Sequence, residues 1–307
     1  MVEDTFALVI HGGAGTILRE HLTPEMYEKY IAGLKDSLLR GYEILKAGGS
    51  ALDAVEAAVN SMEDNYLFNA GKGAVFTKGG KNELEASIMD GSSLKAGACT
   101  LLKTVKNPIS LARQVMIQSP HNFIGGEEAE KLAQRSGLEI VDPKYFFTEH
   151  RWRQHLSGLQ SPGNEPPAPA PKGTVGAVAL DKSGNIATAT STGGKTNKWD
   201  GRIGDTPMIG AGTYADNETC GVSGTGDGEY FIRHSVAYNV CARMKHLGEP
   251  VDTAAQNVVE ELRKVKGSGG VVALDSKGNV AMPFNSSGMY RGYIKSDGVA
   301  HTFIFNE

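Results

Sequence analysis

Apolar and polar positions follow two rhythms along this chain, and the switches between them mark its elements. FALVIHGGAG (6–15) is an almost unbroken apolar run that dissolves into glycines. It predicts a buried strand entering a tight loop. Helical spacing then takes over. Thr23-Pro24 reads as a cap followed by proline at the first helical position, so a helix is predicted from there to about Ala47, stopping at Gly48-Gly49. Ser50-Ala-Leu-Asp53 has the form of a capping box and opens an Ala/Val-rich helix to about Asp64. Strand-like runs follow at GAVFT (73–77), ELEASIMD (83–90) and GACTLLKTV (97–105). Asn107-Pro108 breaks the pattern, SLARQVM (110–116) returns to helical spacing, and EEAEKLAQRS (127–136) predicts a further helix capped by Gly137.

Residues 151–172, RWRQHLSGLQSPGNEPPAPAPK, are polar and carry five prolines after Gln160. They read as an extended tether. Beyond them TVGAVALD and NIATATS flank Lys182-Ser183-Gly184, a hairpin pattern, and helices are predicted near 229–246 and 253–264 before another hairpin. GTVGAVALDKSGNIA (173–187) is echoed by GSGGVVALDSKGNVA (267–281). The echo fits two sheets of related build, or one hairpin sequence that simply folds well.

Composition narrows the class. At 307 residues with 40% apolar and 21% charged content, the chain can bury a large core. A net charge of −4 without a Lys/Arg cluster argues against nucleic acid as a partner. No apolar run approaches the roughly 18 residues that would cross a bilayer. MVEDTFALVI lacks a secretory pattern, so a cytoplasmic location is the expectation. Cys99, Cys220 and Cys241 are scattered and odd in number, which suits reduced, buried thiols.

The candidate chemistry sits where the tether meets the strand. A threonine with a free α-amine is a self-contained nucleophile, because the amine, titrating near ~7.7–8.0, takes the hydroxyl proton. That amine exists only after the preceding peptide bond breaks. The device needs a small residue before the threonine, a strand to hold it, and a dispensable segment upstream. Gly173, the strand from Val175 and residues 151–172 supply all three. Alone, Gly-Thr before a strand is common and settles nothing.

Longer motifs add to it. HGGAG (11–15), LFNAGKGAVFT (67–77), EASIMDG (85–91), NPISLAR (107–113), GTVGAVALD (173–181), ATSTGG (189–194), GRIGDTPMIGAGTYA (201–215), SGTGDGE (223–229) and FNSSGMYRG (284–292) make the chain resemble the plant-type asparaginases, or isoaspartyl aminopeptidases, of the N-terminal nucleophile hydrolases. The resemblance fails only in the tether. It implies an α+β fold, a four-layer αββα sandwich built as one unit from residues 1–307. It also implies self-cleavage into residues 1–173, with 151–172 as the flexible tether, and 174–307. The activity implied is hydrolysis of L-asparagine and of β-aspartyl dipeptides through an acyl-enzyme on Thr174, in a dimer of αβ units.

The resemblance also implies roles. Thr174 matches the nucleophile, Thr192 a second hydroxyl beside it, and Thr225 with Gly226 the oxyanion hole. Asn69 matches a residue bonded near the nucleophile. Arg202 matches the site of the substrate α-carboxylate, which its planar fork suits, and Asp205 with the Gly228 carbonyl matches the site of the α-ammonium. Gly12 and Gly13 match a loop beside the scissile Gly173–Thr174 bond. No cofactor is required. A structural sodium on backbone carbonyls is implied, with Glu63, Phe68 and Ala70 among its ligands. Gly224 stands where relatives often carry Thr or Cys. Without the resemblance, Thr192 would pass for a strand hydroxyl, Arg202 and Asp205 for a solvated pair, and SGTGDGE for a turn.

Two rivals stay open on sequence alone. ATSTGGKT (189–196) fits a loosened phosphate-loop pattern, although Ala189 replaces its first glycine and a poor helix follows. An uncleaved binder of aspartyl compounds would keep the pocket without the amine. Denaturing electrophoresis separates it from the enzyme, which should run as two fragments.

Overall fold

The structure is a computed structural model that describes residues 5–160 and 173–306. Its strands are β1 (Ala7–Gly15), β2 (Leu84–Asp90), β3 (Ala96–Leu102), β4 (Phe123–Gly125), β5 (Val175–Leu180), β6 (Ile186–Thr192), β7 (Thr213–Ala215), β8 (Cys220–Gly226), β9 (Gly269–Asp275), β10 (Val280–Ala281), β11 (Gly288–Lys295) and β12 (His301–Phe303). Its helices are α1 (Pro24–Lys46), α2 (Ala51–Glu63), α3 (Pro108–Gln118), α4 (Gly126–Arg135), α5 (Glu149–Gln160), α6 (Gly228–His234), α7 (Val236–Leu247) and α8 (Val251–Lys264).

One sheet has eight strands in the order β12-β11-β1-β5-β6-β2-β3-β4, and the other four in the order β10-β9-β8-β7. The eight-stranded sheet is therefore interleaved. β5 and β6, from beyond the tether, lie between β1 and β2, from before it. Both sheets face each other through β1, β5 and β6 against β8 and β9, while α1, α2 and α3 cover the outer face of the first sheet and α7 and α8 that of the second. This is the four-layer αββα sandwich.

Period-two alternation explains why a strand can feed two cores. In β1, Leu8 and Ile10 pack under the helices while Ala7 and Val9 pack between the sheets. In β5, Val175, Ala177 and Ala179 face the helices, and Val178 and Leu180 face the second sheet. Both faces are apolar because both are covered, so the strands read as continuous apolar runs.

Local sequence chemistry sets the boundaries. The Thr23 hydroxyl accepts from the Met26 N–H at 3.3 Å, with Pro24 opening α1. Ser50 Oγ accepts from the Asp53 N–H at 3.1 Å and donates to the Asp53 carboxylate at 2.7 Å, which closes the capping box of α2. The repeated hairpin does occur once in each sheet, β5–β6 and β9–β10. Its turn is built the same way both times. Asp181 Oδ1 accepts the N–H groups of Ser183 and Asn185, and Asp275 Oδ1 those of Lys277 and Asn279.

Three expectations are corrected. GAVFT (73–77) is not a strand but follows a single 3-10 turn, its Val75 N–H bonded to the Asn69 side chain instead of a ladder. The stretch 151–160 is not tether but the body of α5. It is held by Arg151, which is 1% exposed and donates to the Gly73 carbonyl at 2.8 Å and the Leu67 carbonyl at 3.3 Å. The remainder of the expected tether, 161–172, lies outside the described residues. The helix expected over 229–246 is two, broken at Ser235, whose φ of +48° is left-handed. Among the described residues no helix is long and apolar enough to cross a membrane. All three cysteines are free and buried.

Candidate active site

Thr174 lies at the entrance to β5, where the two sheets meet, and is 8% exposed. Its hydroxyl donates to Thr192 Oγ1 at 3.1 Å. Thr192 ends β6, the neighbour of β5, which is why two threonines so far apart in a hairpin come together. The Thr192 hydroxyl also accepts the Gly194 N–H at 3.0 Å and donates to the Gly173 carbonyl at 3.4 Å. One hydroxyl thus touches both the Thr174 oxygen and the carbonyl of the bond in front of it.

The nitrogen side is held equally. The Thr174 N–H donates to Thr225 Oγ1 at 3.3 Å, and the Ala14 N–H donates to the same oxygen at 3.2 Å. With both lone pairs engaged, the Thr225 hydroxyl keeps its proton for donation. Gly226 follows at φ +154°, where a Cβ would sit 2.3 Å from the Ser268 carbonyl oxygen. At Gly224 a Cβ would meet the Phe231 ring at 2.7 Å, so the glycine lets that ring back directly onto β8.

A buried histidine fixes the next peptide. His11 Nδ1 donates to the Thr174 carbonyl at 2.9 Å, and its Nε2 accepts from the Ser223 hydroxyl at 2.8 Å. That pairing requires the neutral ring. Burial drives the His11 pKa down to about 3, against the raising effect of its bond to the Thr174 carbonyl. Behind Ser223 a file of hydroxyls, Thr190, Thr213 and Ser87, crosses between the sheets.

Gly13 packs against the Gly173–Thr174 bond; Gly12 does not. Gly13 has φ +114°, and a Cβ there would lie 2.4 Å from Gly173 Cα. A Cβ on Gly12 would instead strike the Phe68 ring at 2.5 Å. Asn69 does not bond to Thr174 itself. Its Nδ2 donates to the Gly194 carbonyl at 2.7 Å, and its backbone carbonyl accepts the Gly193 N–H at 3.2 Å, so it braces the turn that carries Thr192.

Arg202 and Asp205 form the opposite wall. Gly228, at the start of α6, packs against both: a Cβ there would be 2.6 Å from Asp205 Oδ1 and 2.8 Å from Arg202 Nη2. Asp205 is buried, and its Oδ2 has no hydrogen-bond partner. Burial raises its pKa to about 7; nearby Glu85 adds to the rise and Arg202 opposes it. A buried acceptor left unmatched costs about 1–3 kcal/mol, so a donor entering the cleft beside Asp205 Oδ2 would be stabilised. Arg202 meanwhile pairs with Glu229 at 3.0 Å. Burial would push Glu229 up, but bonds from Lys195 and the charge of Arg202 outweigh it and leave it at about 2.

The cleft lined by Glu85, Gly173, Thr174, Thr192, Gly194, Lys195, Arg202, Asp205 and Gly226 has about 10 Å³ of free volume. That is about the least space that holds a single water. With Gly173 joined to Thr174, the cleft is far tighter than an aspartyl compound needs. This argues against the uncleaved binder. The phosphate-loop rival fails on topology, since β6 leads into 193–212, which contains no helix to receive a phosphate.

The loop after α2 tests the sodium expectation. A Cβ at Gly71 would lie 2.4 Å from the Glu63 carbonyl oxygen, and one at Gly73 would overlap the carbonyl oxygens of Phe68 and Tyr66. The Ala70 carbonyl accepts the Gly73 N–H at 3.1 Å. Glycines thus let several carbonyls crowd together, a donor set suited to a hard cation. Among the described residues no cluster of His, Cys, Asp or Glu offers a different kind of metal site.

Three side chains in and around the candidate site were not evident in the sequence. His11 was visible only as the head of HGGAG. Glu85 lines the cleft and accepts the Gly204 N–H at 3.0 Å. The Glu63 side chain accepts the Ser191 hydroxyl at 2.6 Å beside Thr192, and burial raises its pKa to about 8. Charged residues inside an apolar strand or at a helix end were the available signal.

A sandwich of two facing sheets with a threonine at the entrance to a central strand, its hydroxyl bonded to that of a second threonine, has the architecture of the N-terminal nucleophile hydrolases. The asparaginase family profile matches residues 4–304. The isoaspartyl peptidase of Salmonella typhimurium is 46% identical over 98% of this chain and 98% of its own. That of Escherichia coli is 46% identical over 98% and 96%. An isoaspartyl peptidase/L-asparaginase of Rattus norvegicus is 40% identical over 96% and 88%. The chain belongs to the asparaginase family.

Proposed function

We propose that this chain is a self-processing isoaspartyl peptidase and L-asparaginase with Thr174 as nucleophile. The observation that carries the proposal is the pair of contacts at Thr192, which takes the Thr174 hydroxyl proton on one side and donates to the Gly173 carbonyl on the other. Maturation begins when Thr174 Oγ attacks the Gly173 carbonyl carbon. The C–N bond breaks, the nitrogen takes the proton, and an ester joins Gly173 to Thr174. Water cleaves the ester to a Gly173 carboxylate and a free Thr174 hydroxyl.

In the mature enzyme the Thr174 amine serves as base, held beside Thr225. Arg202 takes the substrate α-carboxylate, while Asp205 and the Gly228 carbonyl take the α-ammonium. Holding both ends presents the β-carbonyl to Thr174. Attack forms a tetrahedral oxyanion facing the Thr225 hydroxyl and the Gly226 N–H; a donor of that kind is worth about 3 kcal/mol. The leaving nitrogen takes the proton and departs as ammonia or an amino acid. Water then releases aspartate. A sodium ion on the carbonyls of Glu63, Phe68 and Ala70 would stiffen the loop that carries Asn69. The tests are intact mass of the purified protein, which should show fragments 1–173 and 174–307, and ammonia release from asparagine. A competent preparation with no new terminus at Thr174 would end the proposal.

A further inference from the structure

The catalytic cleft accounts for the aspartyl part of a β-aspartyl peptide but not for the amino acid on the far side of the scissile bond. A second cavity adjoins the cleft. It is an open groove of about 470 Å³ lined by Lys195, Asn197, Lys198, Trp199, Asp200, Gly201, Arg202 and Glu229. Lys195 and Arg202 line both spaces, so the groove continues the cleft outward.

Trp199 dominates its surface. It is 78% exposed, more than any other large apolar side chain among the described residues. Exposure at that level in a flexible loop would mean little, but this loop is pinned on both sides. Asn197 is bonded to His155 and to the Phe76 carbonyl, Lys198 Nζ donates to the Glu83 carbonyl at 2.7 Å, and Asp200 accepts the Gly79 N–H at 3.1 Å. The Gly201 N–H donates to Glu83 Oε2 at 2.8 Å, and the Arg202 N–H returns to the Trp199 carbonyl at 3.0 Å. The indole is thus held out on a braced support at the mouth of the site, an arrangement that lowers the entropy cost of contact. At the junction, the Lys195 ammonium uses two of its three donors on Asp227 and Glu229, each at 2.8 Å.

Resting on the function proposed above, we infer that this groove is the subsite for the leaving amino acid of a β-aspartyl dipeptide, with Trp199 as the shelf for an aromatic or large aliphatic side chain and Lys195 facing its carboxylate. The chain would then favour β-aspartyl peptides of bulky apolar residues. Asparagine, whose leaving group is ammonia, does not reach the groove.

The test is steady-state hydrolysis of asparagine, β-aspartyl-glycine and β-aspartyl-phenylalanine by the mature wild type, Trp199→Ala and Trp199→Phe. Loss of one aromatic contact predicts a fall of about tenfold in kcat/KM for β-aspartyl-phenylalanine in Trp199→Ala, expressed in KM with kcat held. Asparagine and β-aspartyl-glycine should stay within about twofold, and Trp199→Phe should restore most of the loss. Equal changes for all three substrates, or none for the phenylalanine peptide, would overturn the inference while leaving the proposed activity intact. A mature wild type inert toward all three would overturn that activity and the inference with it.

Discussion

Replacing Gly13 by alanine tests the geometry of the proposed self-cleavage directly. The new Cβ would lie 2.4 Å from Gly173 Cα and 3.4 Å from the Thr174 nitrogen. Carbon–carbon contacts are comfortable from about 3.5 Å, so roughly 1 Å of separation must be found. Neither side yields easily. β1 is paired with β5 and β11, and Thr174 is tied to His11, Thr192 and Thr225. A misplacement of about 1 Å at a reacting centre can cost about 100-fold in rate. Gly13 also sits at φ +114°, where an alanine adds strain of about 1–3 kcal/mol. We expect cleavage slowed by about two orders of magnitude, followed by intact mass from the moment of purification, and a melting temperature lower by a few degrees. Gly12→Ala is the control. Its clash falls on the Phe68 ring, not on Gly173, so it should cost stability with a smaller effect on cleavage. Maturation of Gly13→Ala at the wild-type rate would refute the close-approach argument.

Thr174→Ala should fold, remain a single chain on denaturing electrophoresis and release no ammonia from asparagine. Arg202→Ala should cleave itself normally and raise KM; ordinary asparagine turnover by that variant would show that the guanidinium does not hold the carboxylate. Asp205 must be ionised to hold an ammonium, and its pKa is raised to about 7, so KM for asparagine should fall as pH rises from about 6 to 8. Asp205→Asn should abolish that dependence and raise KM by about 30-fold or more, measured across the same pH range. His11 has its pKa lowered to about 3 from 6.5, so below pH 6.5 the unfolded chain binds a proton that the folded chain refuses. Its stabilising effect is complete above pH 6.5 and is lost as pH falls toward 3, by an amount on the order of a few kcal/mol. Urea unfolding at successive pH values should show this slope, and His11→Gln should flatten it.

Much of the local structure was legible in residues 23–64, where Thr23-Pro24 and the Ser50/Asp53 box set both helix starts. The hairpin at 173–187 was legible for the same reason, because its Asp-Lys-Ser-Gly turn supplies its own hydrogen bonds. Local preference gave way where a distant partner made the stronger bond. The tether lost ten residues to α5 because Arg151 satisfies backbone carbonyls of the loop at 67–73 that its own neighbours could not reach. GAVFT lost its strand because the Asn69 side chain claimed a backbone N–H.

Periodicity and caps act within a few residues, so most strands and helices were already written in the order of the amino acids. The same order, through its glycines and threonines, nominated the bond at Gly173. Which chemistry those residues share depended on the folded molecule. Thr174, Thr192 and Thr225 meet because β5, β6 and β8 come together across two sheets, and Asp205 Oδ2 is left without a hydrogen bond where the start of α6 packs over that side chain. Neither the burial that moves the pKa values of His11, Glu63 and Asp205 nor the contact of Gly13 with Gly173 can be read from neighbours in the chain. Both arise from groups far apart in sequence being forced into one small volume.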